Sequence, residues 1–142
     1  MSQNMSRAER EEFLAGVHVG VLSVVTGEGS GALAVPVWYG YVPGGAVIVS
    51  TGRTSRKAHA IRSSGRFTLC VQDELPPYKY VTVEGPATVQ EITQDERRDL
   101  ARRYLGPEGG DAYIASVPGG DKIMLRLTPE HWLTEDQGKD AD

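Results

Sequence analysis

The chain has 142 residues, 39% hydrophobic and 24% charged, with 15 Lys+Arg against 19 Asp+Glu for a formal net charge of −4. That length fits one domain with a modest core, and no apolar run approaches the ~20 residues that span a bilayer. Met1 to Arg7 carries no apolar stretch of the secretory kind, and the single cysteine, Cys70, permits no disulfide within the chain, so a cytoplasmic protein with no membrane partner is expected.

Ser6 and Glu9 have the spacing of a capping box, which predicts a helix over Arg7 to Gly16. Val17 to Val25 alternates at first and reads as a strand. Thr26 to Gly31, with three glycines, reads as a hairpin turn into a second strand over Leu33 to Tyr41. Pro36 lies inside that strand and removes a ladder donor, so the sheet is edged, bulged or opened there. Pro43-Gly44-Gly45 turns the chain into a third strand, Ala46 to Thr51. A short helix follows over Ser55 to Ser63, then a fourth strand, Arg66 to Gln72, in which Cys70 is expected to be buried. Asp73 to Pro77 is a stiff loop, and Tyr78 to Ile92 is a long fifth strand with a bulge or bend at Gly85-Pro86. A second capping box, Thr93 with Glu96, starts a helix to Tyr104; Gly106 to Gly110 ends it, and Asp111 to Ser116 reads as a further short helix. Lys122 to Leu127 is the sixth strand, continuing after Pro129 through His131 to Leu133, and Thr134 to Asp142 reads as a disordered polar tail. The expected organisation is one domain over residues 1–133 and a tail over 134–142. Strands one to three are joined by turns too short for parallel pairing. The expected class is mainly β (α+β), a six-stranded antiparallel barrel, closed or half open, with peripheral helices.

The stretch with most chemistry is Ser50 to Arg66. From Gly29 to Gln72 there is no Asp or Glu, while Arg53, Arg56, Lys57, Arg62 and Arg66 give a local balance of +5 in an acidic protein. Arg56 and Lys57 fall in the first turn of the predicted helix, the end that the helix dipole makes positive. Cations there, with free N–H groups and the hydroxyls of Thr54 and Ser55, suit an anion such as a phosphate. A solvated basic face is the competing reading. The aromatic strand Val35-Pro36-Val37-Trp38-Tyr39 beside it suits a flat ring with a phosphorylated tail, and plain core packing is the alternative for Trp38 and Tyr39.

Other chemistries find little support. There is no G-x-S-x-G, no P-loop and no G-x-G-x-x-G near Arg53. His18, His59 and His131 are far apart in sequence, so no metal site is expected. A nucleic-acid partner would use the +5 interval, but the net charge and the lack of a recognised motif argue against one.

The segments V-G-V-L-S-V (Val19 to Val24), V-P-V-W-Y (Val35 to Tyr39), T-G-R-T-S-R-K-A (Thr51 to Ala58) and Y-V-T-V-E-G-P-A (Tyr80 to Ala87), in that order, resemble the pyridoxamine 5′-phosphate oxidase-like family of split β-barrels that bind FMN or the deazaflavin F420. The chain is most similar to the short F420-dependent reductases of that group. The resemblance implies that Lys57 binds a cofactor phosphate with Arg53, Ser55 and Arg56 beside it. It also implies that the backbone around Val35, Pro36, Val37 and Trp38, and around Ser50 and Thr51, contacts the ring. Members are usually homodimers, which would bring Tyr78, Lys79 and Tyr80 to the site from the partner chain. The C-terminal Arg- and His-containing substrate segment of the true oxidases is absent; the chain runs T-E-D-Q-G-K-D-A-D from Thr134. Pyridoxal phosphate synthesis is therefore not implied.

The function expected from the resemblance is hydride transfer from reduced F420 to an unsaturated small molecule. FMN is the alternative cofactor. A non-catalytic carrier of flavin, F420 or haem is the alternative role. Tyr78, Lys79 and Tyr80 are the candidate proton donors. Exposure of Trp38, Tyr39, Tyr41, Tyr78 and Tyr80 in a lone chain supports the homodimer, unless the helices after Thr93 cover them.

Overall fold

The computed structural model describes residues 3–27, 29–117 and 120–139. The strands are β1 (Gly20–Val24), β2 (Leu33–Val37), β3 (Val47–Gly52), β4 (Arg66–Asp73), β5 (Lys79–Glu91), β6 (Lys122–Leu127) and β7 (His131–Asp136), and the helices are α1 (Arg7–Ala15), α2 (Arg56–Ser64) and α3 (Gln94–Ser116). Both capping boxes form. Glu9 N–H donates to Ser6 Oγ at 3.2 Å and Ser6 N–H to Glu9 Oε1 at 2.7 Å. At α3 the corresponding distances are 3.1 and 2.9 Å between Thr93 and Glu96.

All the strand pairs are antiparallel, and the order is β2-β1-β4-β5-β6-β3. Gly40, three residues past β2, forms a bridge with Ile48 of β3 and brings this path back toward its start. The inward rows carry Leu22, Val24, Val47, Val49, Phe67, Leu69, Val81, Val83, Leu125 and Leu127, all buried. The architecture is the expected antiparallel split barrel with peripheral helices. β2 has one strand partner and so a free edge, the position in which Pro36 costs no ladder bond.

β5 is long enough to serve two parts of the sheet. Residues 79–86 pair with β4, and 79–84 with β7 on the other side, while residues 87–91 pair with β6. The strand bends at Gly85-Pro86, where the link from β6 to β7 crosses it. Thr128 N–H donates to Pro86 O and Glu130 N–H to Glu84 O, both at 2.9 Å. A Cβ on Gly85 would lie 1.9 Å from Thr128 O, so only glycine fits the crossing.

Several expectations are corrected. The segment after Pro129 is a separate seventh strand on β5, because the crossing at Gly85 turns it away from β3. The expected tail is ordered through Lys139: Thr134, Glu135 and Asp136 belong to β7, buried Thr134 accepts a hydrogen bond from Met5 N–H, and Lys139 pairs with Glu9. The rest of that expected tail, residues 140–142, lies outside the described residues. Cys70 is exposed, not buried, because β4 alternates and sends Phe67, Leu69 and Val71 inward instead. β1 starts only at Gly20, with Val17 and Val19 exposed before it. Gly106 does break the helix, at φ 79° and ψ 170°, but helical structure resumes at once with Pro107, not at Asp111. Among the described residues no helix is long and apolar enough to cross a membrane.

The crossing sets a stability prediction. Gly85→Ala is expected to cost at least about 3 kcal/mol in urea unfolding, the upper range for overpacked backbone contacts. Gly31→Ala, with nothing within 4 Å of its Cβ, is expected to stay within about 0.5 kcal/mol of the parent. Equal midpoints for the two variants would refute the close crossing.

Candidate functional site

β3 runs out at Gly52 and α2 begins four residues later, so the first turn of the helix stands at one end of the barrel. Ser55 is the N-cap: its Oγ accepts from Ala58 N–H at 3.1 Å and from the Thr51 hydroxyl at 3.1 Å. Gly65 closes α2 in the left-handed region at φ 75°, its N–H donating to Ile61 O. The first-turn N–H groups of Arg56 and Lys57 have no intrahelical acceptor, and the helix buries Ala58, Ala60 and Ile61. Local sequence thus builds the capped start of α2 expected of it, with Arg56 and Lys57 in its first turn.

The tertiary fold sorts the five cations of the acid-free interval. Arg53 is taken by carboxylates from elsewhere: it bonds Glu91 through both terminal nitrogens at 2.8 and 2.7 Å and Asp121 through Nε at 2.7 Å. These partners raise its pKa further and leave its charge compensated. Arg66 is held likewise by Glu84 and Glu130, at 2.6 Å each. Arg56, Lys57 and Arg62 form no ion pair among the described residues. Arg62 donates to Arg53 O at 2.9 Å, and with Arg56, His59, Thr54 and Ser55 it lines an open groove of about 540 Å³ along α2 that holds no carboxylate.

Lys57 turns the other way, into a cavity of about 250 Å³ between β2, β3, α2, α3 and the start of β6. Pro36, Val37, Trp38 and Ser50 face it from the barrel, and Lys122 faces it from β6, whose first residue pairs with Gly52. From α3 come Arg97, Leu100 and Ala101, spaced i, i+3, i+4 on one helix face, then Tyr113 and Ile114 beyond the kink. Arg97 is only 8% exposed and donates to Val117 O at 2.9 Å. Three cations therefore line a part-apolar cavity that contains no Asp or Glu. Burial, and then the nearby charge of Lys122, holds the Lys57 pKa below its ordinary 10.5.

The aromatic wall is built within the chain. Trp38 stacks on Tyr104 at 4.8 Å and 5°, with Tyr113 tilted at 5.7 Å on the ring. The Tyr104 hydroxyl donates to His18 O at 2.7 Å, contacts Tyr39 O at 3.1 Å and accepts from Tyr39 N–H at 2.9 Å, pinning α3 across the ends of β1 and β2. Tyr39 and Tyr41 are buried, and Trp38 is half-buried. The expectation that these three are broadly exposed in one chain is therefore wrong: α3 and the core cover them.

Of the expected site residues, the structure brings Pro36, Val37, Trp38, Ser50 and Lys57 to the cavity, with Ser55 and Arg56 on the separate groove along α2. Thr51 is buried beneath the cap, and Val35 is half-buried against the core. Arg53 is diverted to Glu91 and Asp121. Tyr78, Lys79 and Tyr80 do not line the cavity of their own chain; Lys79 lies 5.7 Å over the Phe13 ring. Arg97 and Lys122 escaped the sequence reading. A cation on an apolar helix face was the available signal for Arg97, and nothing local marks Lys122. Glu84, Glu130 and His131 have ligand atoms within 4.8 Å of one another, but the Arg66 guanidinium already bonds both carboxylates.

Comparison with known proteins agrees with this architecture. A family profile described as pyridoxamine 5′-phosphate oxidase matches residues 6–136. The chain belongs to that family. No curated protein matches. Among solved structures, a conserved hypothetical protein from Mycobacterium tuberculosis is 20% identical with a TM-score of 0.78, covering 100% of this chain and 94% of its own. An F420 reductase is 20% identical with a TM-score of 0.73, over 87% of this chain and 94% of its own. A FAD-binding protein from Mesorhizobium loti is 19% identical with a TM-score of 0.69, over 92% and 94%. At these identities the likeness shows the shared fold.

The cavity generates an electrostatic prediction. Lys122→Gln is expected to raise the Lys57 pKa, measured by NMR on its side-chain ammonium, without restoring the ordinary value, because burial is the larger cause. In the parent, affinity for inorganic phosphate is expected to fall as pH rises through the lowered pKa, because the cation is lost there. A Lys57 pKa unchanged by the substitution would separate the two lysines.

Proposed function

We propose that this member of the pyridoxamine 5′-phosphate oxidase family is a cytoplasmic homodimeric oxidoreductase that uses reduced F420 to transfer hydride to an unsaturated small molecule. The observation that carries the proposal is the cavity beside Trp38 with three cations and no carboxylate. Its donor set fits a phosphate-bearing cofactor: Lys57, the free N–H groups of the α2 first turn, and Ser50 and Ser55 hydroxyls nearby. When bound, reduced F420 supplies the hydride. The chain supplies position and surroundings. Lys57 and the helix end hold the phosphate. The free edge of β2 around Val35 to Trp38 offers backbone groups to the ring. Trp38, fixed by its stack on Tyr104, would lie against the ring and exclude water from that side.

F420 is preferred over FMN because its tail is longer and more acidic, and the separate groove on the other side of α2, lined by Arg56, His59 and Arg62, offers further cations without a carboxylate. FMN is the second reading, because its phosphomonoester also suits Lys57 and the first turn of α2. The expected titration result is tighter binding of F420 than FMN by the parent, with Lys57→Glu weakening both by roughly 30-fold to several thousandfold, the cost of reversing one partner of a desolvated charge pair. Parent-like affinity in Lys57→Glu would move the anion site elsewhere; tighter FMN would invert the cofactor ranking alone.

The homodimer has a different basis from the aromatic one expected from sequence. The strand register sets Pro36, Val21, Cys70, Thr82 and Leu133 in one row across the outer face of five strands. Val21 and Leu133 are 43% and 61% exposed, and Pro36 and Cys70 are exposed too. Pro36 also lines the cavity, so a second copy on this face would reach its mouth. Tyr80 lies beside that row on the same outward face, which gives Tyr78, Lys79 and Tyr80 of the partner subunit a route to the site and to proton donation. Sedimentation at low micromolar concentration is expected to give a dimer for the parent and a monomer for Leu133→Glu. A parent monomer that binds cofactor at full affinity would refute the composite site.

A further inference from the structure

The cavity holds more positive charge than one phosphate uses. A phosphodiester carries one negative charge and a phosphomonoester about two near neutral pH, whereas Lys57, Lys122 and Arg97 supply three positive ones. Lys57 belongs to the α2 first turn, where the N–H groups also point, and the phosphate of the proposed cofactor is assigned there. Arg97 and Lys122 come from other elements, α3 and β6. Neither forms an ion pair among the described residues. Arg97 is 8% exposed, so its charge is held largely out of bulk water, and its guanidinium donates a hydrogen bond to Val117 O. A buried arginine without a carboxylate is costly unless a ligand completes it. Its planar fork matches a carboxylate, which takes two parallel N–H bonds. Next to it on α3, Leu100, Ala101 and Ile114 form an apolar wall, and Trp38 stands across the cavity.

We infer that Arg97 and Lys122 form a second anion subsite, which binds the carboxylate of the hydride-accepting substrate while its apolar, unsaturated body lies between the α3 wall and Trp38. The substrate class is thus an apolar unsaturated or aromatic carboxylic acid. The assignment of this group to the acceptor rests on the cofactor reading above; the presence of two separate anion subsites does not.

Two simple probes test it on the full chain: inorganic phosphate for the Lys57 end and benzoate for the Arg97–Lys122 end, each titrated by calorimetry and by ligand-observed NMR. Benzoate is expected to bind protein already saturated with phosphate rather than to displace it, because the three cations of the cavity exceed the charge of one phosphate. Lys122→Gln is expected to weaken benzoate by about tenfold or more, equivalent to about 1.4 kcal/mol, and to leave phosphate within about threefold. Lys57→Gln is expected to do the reverse. Competition between benzoate and phosphate for one site, failure of benzoate to bind the parent, or parent-like benzoate binding by Lys122→Gln would each overturn the second subsite. Failure of the cofactor reading is seen separately, as unaltered F420 and FMN affinity in Lys57→Glu, and would remove only the acceptor assignment.

Discussion

The crossing of two backbones at Gly85 is the contact on which the rest of the structure depends. β5 can pair with β4 and β7 before that residue and with β6 after it only because Thr128 O approaches to a distance that any side chain would forbid. Hydrogen bonds from Thr128 and Glu130 fix the crossing on either side. From there β6 runs antiparallel to β3 in a register that sets Lys122 opposite Gly52, beside the start of α2. One missing Cβ therefore decides where the second lysine of the cavity lies.

A second anchor closes the cavity from above. Tyr104 combines a ring stack under Trp38 with a hydroxyl bonded to the backbone of both His18 and Tyr39. Arg103 adds a bond from its guanidinium to Gly16 O at 2.7 Å. Beyond the Gly106 break, Gly110 lies against the backbone of Arg102, where a Cβ would meet Arg102 Cα at 2.6 Å, and Arg102 pairs with Asp111 at 2.7 Å. The two halves of α3 thus fold against each other, and the second half brings Tyr113 and Ile114 over the site. Without the break, a straight helix would carry these side chains away from Trp38.

Electrostatics divides the basic stretch by burial and partner. Ion pairs at Arg53 and Arg66 tie the α2 region to β5 and to the segments flanking β6, and solvent exposure keeps their contribution to stability small. Among the described residues Lys57, Lys122 and Arg97 lack such partners, and they line a cavity where desolvation makes an unpaired charge expensive.

Local rules determined much of this from the sequence alone. The capping boxes at Ser6 and Thr93, the turn at Pro43 to Gly45 and the helix end at Ser55 to Lys57 each depend on residues within a few positions of one another, and each forms as read; Pro36, which left an edged, bulged or opened sheet as alternatives, takes the edge through the strand order. Four ordered segments were enough to carry the family resemblance, because they hold the residues that shape the strands and the helix end. What the sequence did not contain in readable form depends on contacts across tens of residues. Arg53 looked like an anion ligand until Glu91 and Asp121, 38 and 68 positions away, came within bonding distance. Thr134 to Asp136 looked like a polar tail because a strand paired on an exposed face needs little apolar content of its own. Trp38 looked free because Tyr104 lies far down the chain. Nothing local marks Lys122, and for Arg97 the sequence offers only a cation on an apolar helix face, since a cation's partners, or their absence, are fixed only when the elements pack. Sequence determined the elements and the capped end of α2 with its cations; tertiary structure decided which of those charges meet a carboxylate and which do not, because Coulomb interactions and desolvation act through space and not along the chain.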